Sequence, residues 1–436
     1  MSKIKQLIAT MCVCAFSAAV SNAGEIDMLI KMLAEKDVIT YGEAAQLMTE
    51  TAEQVKADLA AGKHAGAPKW SQRLSFKGDI RLRHQTEKID TGVRRDRGRI
   101  RYRLGLNANV SPGFTASAGL CTGSSDSRST NQTMQDNFST KSIMLDYVYV
   151  TYSPAPELTL YGGKFGIGNA LWTASDLIWD TDLAPEGVNA RYSKRHGKFG
   201  FFGNAGYYLM DENGSATDVL SDGGTSIKKD PAEPYMYILQ AGMSYKINSD
   251  TSVKAAPTKY GFGKIKNYTT ARFANTSGTN TTKSSSTATT ATKFYKYDYN
   301  ATGLDLEFDF TIPLLFMPAG RLYATYIANP DPDEENKGYL GGIRVGKKSV
   351  SSFGDWQARY MYRQLETDAF LDMFPDSDAY GGKTNYLGHE IIFAFGLAKN
   401  VNLGLNYYET RPKTGTKDNN GQKTQKLMQT DIIVKF

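Results

Sequence analysis

The chain has few cysteines and no long apolar segment after its first residues. Of its three cysteines, Cys12 and Cys14 lie in an apolar N-terminal stretch, so Cys121 is alone in the rest of the chain. No intramolecular disulfide is therefore expected. No later apolar run is long enough for a transmembrane helix. The mean hydropathy of −0.42 still permits a membrane barrel, because strands that alternate apolar and polar residues average out.

Proline and long helical patterns are also scarce. The chain has 26 tyrosines, 20 phenylalanines and 41 glycines against 14 prolines. Tyrosine and phenylalanine favour strands and membrane interfaces, and glycine suits turns and crowded barrel walls. A soluble α/β enzyme of this length would show repeated Leu/Ala/Glu helical patterns, which occur here only near the N-terminus. The composition therefore favours a β-rich chain.

Residues 1–23 have the features of a secretory signal peptide. Lys3 and Lys5 supply positive charge, an apolar stretch follows, and Ala23 ends a small-residue cleavage site. Removal of the two lysines lowers the Lys and Arg count from 51 to 49, against 45 acidic residues. This mild excess argues against a nucleic-acid surface. We expect an exported protein without a nucleic-acid partner.

Residues 24–62 predict a short helical hairpin, followed by a linker at 63–70. Apolar residues repeat at helical spacing in two segments. Thr40 and Glu43 have the capping-box spacing that would start the second helix. The hairpin is too small to hold a core of its own. We interpret it as a periplasmic segment that assists assembly, packs under the following domain, binds its own copies or touches the cell wall.

From residue 71 to 436 nearly every ordered stretch alternates between apolar and polar residues. In 99–110, one face carries Ile100, Tyr102 and Leu104 and the other carries Arg99, Arg101 and Arg103. A period of two places these sets on opposite sides of a strand. A soluble sandwich could show the same alternation, so the connections must distinguish the two folds.

Sixteen predicted strands are joined by connections that alternate in length. Short turns such as 111–112 and 399–400 alternate with long polar loops such as 169–186. An even strand number with this alternation is typical of an all-β transmembrane barrel of a bacterial outer membrane. It also predicts that both termini are periplasmic. The last strand, which ends at Phe436, would close the barrel and remove the sheet edge.

The loop at 264–297 is of low complexity. Of the 24 residues from Thr269 to Thr292, 14 are Ser or Thr. This composition predicts a solvated and mobile loop, and its role stays open.

Five arginines on the first hairpin form what we call the arginine ladder: Arg81, Arg83, Arg99, Arg101 and Arg103. Exposure to lipid would cost each midplane arginine about 2–4 kcal/mol, so we expect these side chains to point inward. One hypothesis is a constriction wall that favours anions. The alternative is that the arginines pair with carboxylates in the lumen and stiffen the barrel.

Loop 169–186 is unusually apolar for an exposed loop and carries several carboxylates. We predict that it folds into the barrel and forms a constriction, with these candidate residues: Trp172, Asp176, Trp179, Asp180, Asp182 and Glu186. An acidic loop opposite a basic wall would set up a transverse field that screens solutes by charge. The alternatives are an external cap and a contact between subunits.

Several tyrosines on the predicted strands are candidates for aromatic girdles at the membrane interfaces, and Tyr149 and Tyr207 are among them. Some could instead line the lumen, and the neighbours Tyr207 and Tyr208 must point opposite ways. The four histidines are scattered and lack metal-ligand spacing, so we predict neither catalytic residues nor a metal site.

The motifs FKGDIRLRHQTE (76–87), RGRIRYRLGLNANV (97–110) and LIWDTDLAPEGVNARY (177–192), with the closing QTDIIVKF, resemble the putative porin family of Gram-negative outer membranes. The resemblance implies a passive, cofactor-free channel that is usually a homotrimer and begins with a short helical segment. The partners would then be outer-membrane lipid and lipopolysaccharide, small hydrophilic solutes, and the barrel assembly machinery, for which a terminal Phe436 resembles the recognition signal.

The leading functional hypothesis is therefore passive diffusion of small hydrophilic solutes or ions through a water-filled barrel. A substrate-selective anion channel is a related alternative. An outer-membrane enzyme would need a Ser/His pair within one belt of the barrel, which we cannot place. A non-conducting adhesin or structural barrel would need a plugged lumen.

Overall fold

The computed structural model describes residues 40–60, 71–90, 92–212, 220–222, 225–227, 233–284, 293–312, 319–414 and 423–436. The predicted signal peptide, the first helix of the predicted hairpin and the linker at 63–70 lie outside these residues. Within the described residues, no helix is both long enough and apolar enough to cross a bilayer.

Helix α1 spans Tyr41–Ala60. Its start is the predicted capping box. The backbone N–H of Thr40 donates to Glu43 Oε2 at 2.8 Å, and the backbone N–H of Glu43 donates to Thr40 Oγ1 at 3.2 Å. These two bonds satisfy donors that the first helical turn leaves without a partner. The helix predicted after Thr40 is confirmed.

One antiparallel sheet closes into a barrel of sixteen long strands, as predicted. The strands are β1 Leu74–Ile89, β2 Arg95–Ser111, β3 Phe114–Thr122, β4 Ile143–Ala155, β5 Leu158–Lys164, β6 Glu186–His196, β7 Phe199–Leu209, β8 Tyr235–Lys246, β9 Ser252–Gly263, β10 Thr302–Phe310, β11 Gly320–Ala328, β12 Lys337–Gly346, β13 Trp356–Leu365, β14 Tyr386–Ala398, β15 Val401–Pro412 and β16 Gln425–Lys435. Strand β16 pairs with β1 from Asp79–Lys435 to Ile89–Gln425. The closure excludes an open two-sheet sandwich.

The strands expose their apolar face and bury their polar face, which is the reverse of the arrangement in a soluble protein. On β1, Ile80 and Leu82 are exposed, whereas Asp79, Arg83 and Gln85 are buried. Period-two alternation places the first set outside the barrel and the second inside it. An apolar outer face is the face that a barrel presents to lipid.

The connections differ at the two ends of the barrel. Tight turns join β2 to β3 and β6 to β7, where Gly113 and Gly197 have φ angles of 78° and 56°. Glycine adopts this left-handed conformation without the steric cost of a Cβ atom. Phe436 lies at the same end of the barrel, beside Gly78. The Gly78 N–H donates to the Phe436 carbonyl at 2.8 Å, and the Phe436 N–H donates to the Gly78 carbonyl at 3.0 Å. The long loops lie at the other end.

Several long loops pack inside the barrel and form its main apolar core with inward-facing wall residues. The core includes Trp179 and Phe370 from two loops and Tyr260 from β9. Residues 264–284 belong to this packing, since Thr279 and Asn280 are 1% and 4% exposed. The prediction of a solvated, mobile loop is therefore wrong for this part. Residues 285–292 lie outside the described residues.

Candidate functional site

The loop at residues 169–186, here called the first interior loop, crosses the inside of the barrel. It follows β5 and a short helix, Ile167–Ala170. The Trp172 N–H donates to Gln240 Oε1 at 2.9 Å, and the Ala174 N–H donates to Asp305 Oδ1 at 2.9 Å. These acceptors are on β8 and β10, several strands away from β5. The predicted inward fold of this loop agrees with the structure, while its role as a constriction stays a prediction.

Apolar packing holds the first interior loop in place. Trp179 is 2% exposed. Its ring lies 5.9 Å from that of Tyr260 on β9, 5.3 Å from Phe370 and 4.9 Å from Phe374, measured between centroids. Trp172 is only partly buried, and Lys254 Nζ lies 3.8 Å from the centroid of its ring. Burial of an indole removes a large apolar area from water, so Trp179 is the main apolar anchor.

The loop at residues 366–385, here called the second interior loop, pairs with the first. The Asp180 N–H donates to the Phe374 carbonyl at 2.8 Å, and the Ser377 N–H donates to Asp180 Oδ2 at 2.8 Å. Burial of Asp180, together with the nearby charge of Asp182, raises the pKa of the Asp180 carboxyl to about 7. Nothing in the sequence indicates this pairing, because the two loops are nearly two hundred residues apart.

Arg363 on β13 ties both loops to the wall. It is fully buried, and its guanidinium lies 2.9 Å from Asp176 of the first interior loop and 3.3 Å from Asp376 of the second. It also contacts Glu390 on β14. The three carboxylates are close enough together to hold a metal ion, but the Arg363 guanidinium already supplies the positive charge between them. We therefore assign no metal to this cluster.

The other end of the first interior loop reaches the arginine ladder. Asp182 accepts a hydrogen bond from the Thr130 N–H at 3.2 Å and lies 3.4 Å from Arg103 on β2. Glu186 begins β6 and pairs with Lys164 at 2.9 Å, where its side chain is largely exposed. The two interior loops thus form a bridge from β2 to β13.

Most of the arginine ladder is paired with carboxylates. Arg83 binds both oxygens of Asp431 at 2.7 and 2.8 Å. Arg101 and Arg103 share Asp79, at 2.6 and 2.8 Å. Charge-assisted pairs of this kind neutralise the guanidinium and fix its position. This pairing supports the interpretation in which these three arginines stiffen the barrel.

Two members of the ladder have mainly uncharged partners. Arg81 donates to Asn131 Oδ1 at 2.6 Å and is 4.0 Å from Asp431. Arg99 donates to Gln85 Oε1 at 3.1 Å and to Ser129 Oγ at 3.4 Å. These two side chains therefore keep more uncompensated positive charge than Arg83 does.

A second set of inward arginines was missed in the sequence. Arg321, Arg344 and Arg359 lie on β11, β12 and β13, and we call them the arginine row. They line a cavity of about 240 Å³ together with Glu307 and with Asp176 of the first interior loop. Their strands alternate visibly in the sequence, but only the register shows that the three are neighbours.

The tyrosines divide between the two faces. Tyr149 points inward, since its ring lies 6.1 Å from the fully buried ring of Phe165, so its assignment to a girdle is wrong. Tyr207 is exposed on the outer face and stacks with Tyr235 at 5.2 Å. Its neighbour Tyr208 is 1% exposed and belongs to the interior core.

Most of the chain matches one protein family. The sequence model described as putative porin matches residues 88–298 and 291–436. No curated protein matches the sequence. Among solved structures, two mutants of the Rhodopseudomonas blastica porin align with TM-scores of 0.43 and 0.41, at 11% and 10% sequence identity. Each alignment covers 83% of this chain and 100% of the other.

Proposed function

This chain belongs to the putative porin family, and we propose that it passes small hydrophilic solutes through a channel that the two interior loops narrow. The observation that carries the proposal is the bridge across the barrel. One end of it is fixed by Asp182 beside Arg103, and the other by Asp176 beside Arg363. A passage confined by fixed charges selects hydrated solutes by size and charge.

The pairing within the arginine ladder supports a weak ion preference at that wall. Asp79 and Asp431 face the same interior as Arg83, Arg101 and Arg103 and cancel much of their charge. The field of a paired charge falls off faster with distance than that of an isolated one. We propose that the ladder mainly holds the bridge and the wall in register, and that Arg81 and Arg99 retain the larger influence on ions.

We further propose that both chain ends are periplasmic and that three copies associate in the outer membrane. Support for the orientation comes from the turns, because the short ones lie at the end where Gly78 meets Phe436, and short turns are periplasmic in this class of barrel. The exposed apolar outer wall suits both lipid and a second copy. Chemical cross-linking in native outer membranes, followed by denaturing electrophoresis, tests the trimer directly.

Conductance in planar bilayers tests the proposed function. Purified protein should give stable conductance steps in potassium chloride, and the reversal potential in a salt gradient reports ion preference. Replacement of Arg81 and Arg99 by serine should shift the reversal potential toward cations more than replacement of the carboxylate-paired Arg83. A protein that inserts but never conducts would contradict the proposal and favour a structural or adhesive barrel.

A further inference from the structure

The arginine row is a costly arrangement for a sheet. Arg321 is directly opposite Arg344 across β11 and β12, and Arg344 is directly opposite Arg359 across β12 and β13. Like charges in directly opposed positions destabilise a strand pair. Three guanidiniums in line therefore require negative charge close to them.

Protein carboxylates supply that charge at one end of the row only. Arg321 binds both oxygens of Asp309, at 2.6 and 2.8 Å, and also contacts Glu307. Arg344 is 3.7 Å from Asp309 Oδ1, an oxygen that Arg321 already occupies. The carboxylates of β10 are thus largely used by the first arginine.

The other end of the row is held by an uncharged group. The Arg359 Nε donates to Gln357 Oε1 at 2.7 Å, and Gln357 Nε2 donates in turn to the Lys347 carbonyl at 2.7 Å. Across the described parts of the chain, no carboxylate oxygen lies within 4.0 Å of the Arg359 guanidinium. Gln357 therefore orients Arg359 without neutralising it.

The cavity in front of the row is small, and its lining is mixed, with apolar surface from Trp179 and Met361. Its polar lining comes from Thr173, Thr181 and Asp176 of the first interior loop, together with the arginines. Asp176 pairs with Arg363 at 2.9 Å, a guanidinium that it shares with Asp376 and Glu390, and among the described residues it forms no ion pair with the arginine row. The volume of about 240 Å³ lies just below the range of about 300–1,000 Å³ found for pockets that hold drug-sized ligands. A solute bound here would be small.

We propose that Arg344 and Arg359 bind a small oxyanion, a carboxylate or a phosphate group, in this cavity. Guanidinium forks match the two-oxygen edge of both groups and bind them bidentately. A bound oxyanion would supply the negative charge that the row lacks, and the loop hydroxyls could bind its remaining oxygens. The proposal rests on the proposed function, because the oxyanion would reach this cavity through the channel.

Block of ion current tests this site. With potassium chloride as the carrier, inorganic phosphate or succinate added to one side should reduce the single-channel current in a saturable way. The double variant Arg344→Gln/Arg359→Gln should raise the half-blocking concentration about tenfold or more, which corresponds to about 1.4 kcal/mol. The two anions added separately show whether phosphate or carboxylate is preferred.

Arg191→Gln is the matched control. Arg191 is a partly buried arginine on the inner face of β6, where it donates to the Gly168 carbonyl at 3.4 Å. Its removal lowers the lumen charge without touching the arginine row, so block should change by less than about twofold. If Arg191→Gln weakens the block as much as Arg344→Gln or Arg359→Gln alone, the anion is attracted by the general charge of the lumen. That result would overturn the proposed binding site. A conducting channel that neither anion blocks would also overturn it and leave the porin function intact.

Calorimetry tests the site independently of conduction. Phosphate and succinate are titrated into the detergent-solubilised wild type and the double variant, with intact folding checked by heat-modifiable electrophoretic mobility. Saturable heat in the wild type and its loss in the folded double variant are expected. Equal binding by the two proteins would overturn the proposal even if the channel never conducts.

Discussion

Replacing Arg363 by methionine should release both interior loops from the barrel wall. The buried guanidinium contacts Asp176 and Asp376 of the loops and Glu390 of β14. Removal of one partner of a buried ionic cluster typically costs about 3–5 kcal/mol, because the remaining charges are left uncompensated. A cost of about 3 kcal/mol shifts the equilibrium between docked and released loops by about a hundredfold.

Single-channel recording with limited proteolysis measures this release. Arg363→Met should give larger and noisier conductance steps at neutral pH, and a protease should cleave the second interior loop faster than in the wild type. The matched control is Arg359→Met, on the same strand and face, whose partner is Gln357 rather than a carboxylate. This control should keep the loops docked and resistant to the protease.

Acid should partly reverse the effect of Arg363→Met. Burial, with the nearby charge of Asp176, raises the pKa of the Asp376 carboxyl well above its usual range. Lowering the pH therefore neutralises this carboxyl readily, and a neutral carboxyl can stay buried without the arginine. If Arg363→Met keeps the conductance and protease resistance of the wild type at neutral pH, the reasoning about the cluster is refuted.

Two further predictions follow from buried groups. The Asp180 carboxyl has a pKa of about 7 in the folded protein against about 3.9 in an unfolded chain. The folded state therefore favours the protonated carboxyl, and the stabilisation of loop docking that this provides is complete below about pH 4 and is lost as the pH rises through 7. Conductance noise should therefore increase between about pH 4 and 7, the window set by these two pKa values, and Asp180→Asn should flatten that dependence. An unchanged pH profile in the variant would count against it. The Cys121 side chain is 5% exposed, so a maleimide reagent should label it only after denaturation, and rapid labelling of the folded protein, measured by mass spectrometry, would contradict its burial.

The barrel was predictable because each strand carries its own signal. Period-two alternation is local, as in 99–110, and the alternation of turn and loop lengths orders the strands without any knowledge of their contacts. The inward fold of the first interior loop was also predictable, because Leu177 and Trp179 would be costly to expose together in a loop. These inferences need only neighbouring residues in the chain.

The partners of the charged groups could not be predicted in the same way. Arg363 and Asp176 are far apart in the sequence, and neither position differs in pattern from other charged residues. Composition was misleading for residues 264–284, because Thr279 and Asn280 look like solvated loop residues. They are buried because their N–H groups donate to Asp372 Oδ2, at 2.6 and 3.3 Å. That acceptor lies in another loop, so only the tertiary structure shows why a Ser/Thr-rich segment is ordered here.

The influence of an arginine on a permeating ion depends on its partners more than on its presence. The arginine ladder has the stronger sequence signal, yet Asp79 and Asp431 lie among its guanidiniums and reduce their field in the lumen. The arginine row has no comparable signal, yet Arg359 is oriented by an amide and keeps its full charge beside a cavity. If this is correct, Arg359→Gln should lower anion preference more than Arg83→Gln does, in reversal potentials measured across the same salt gradient. The opposite order would mean that the paired ladder, despite its carboxylates, still controls the ions.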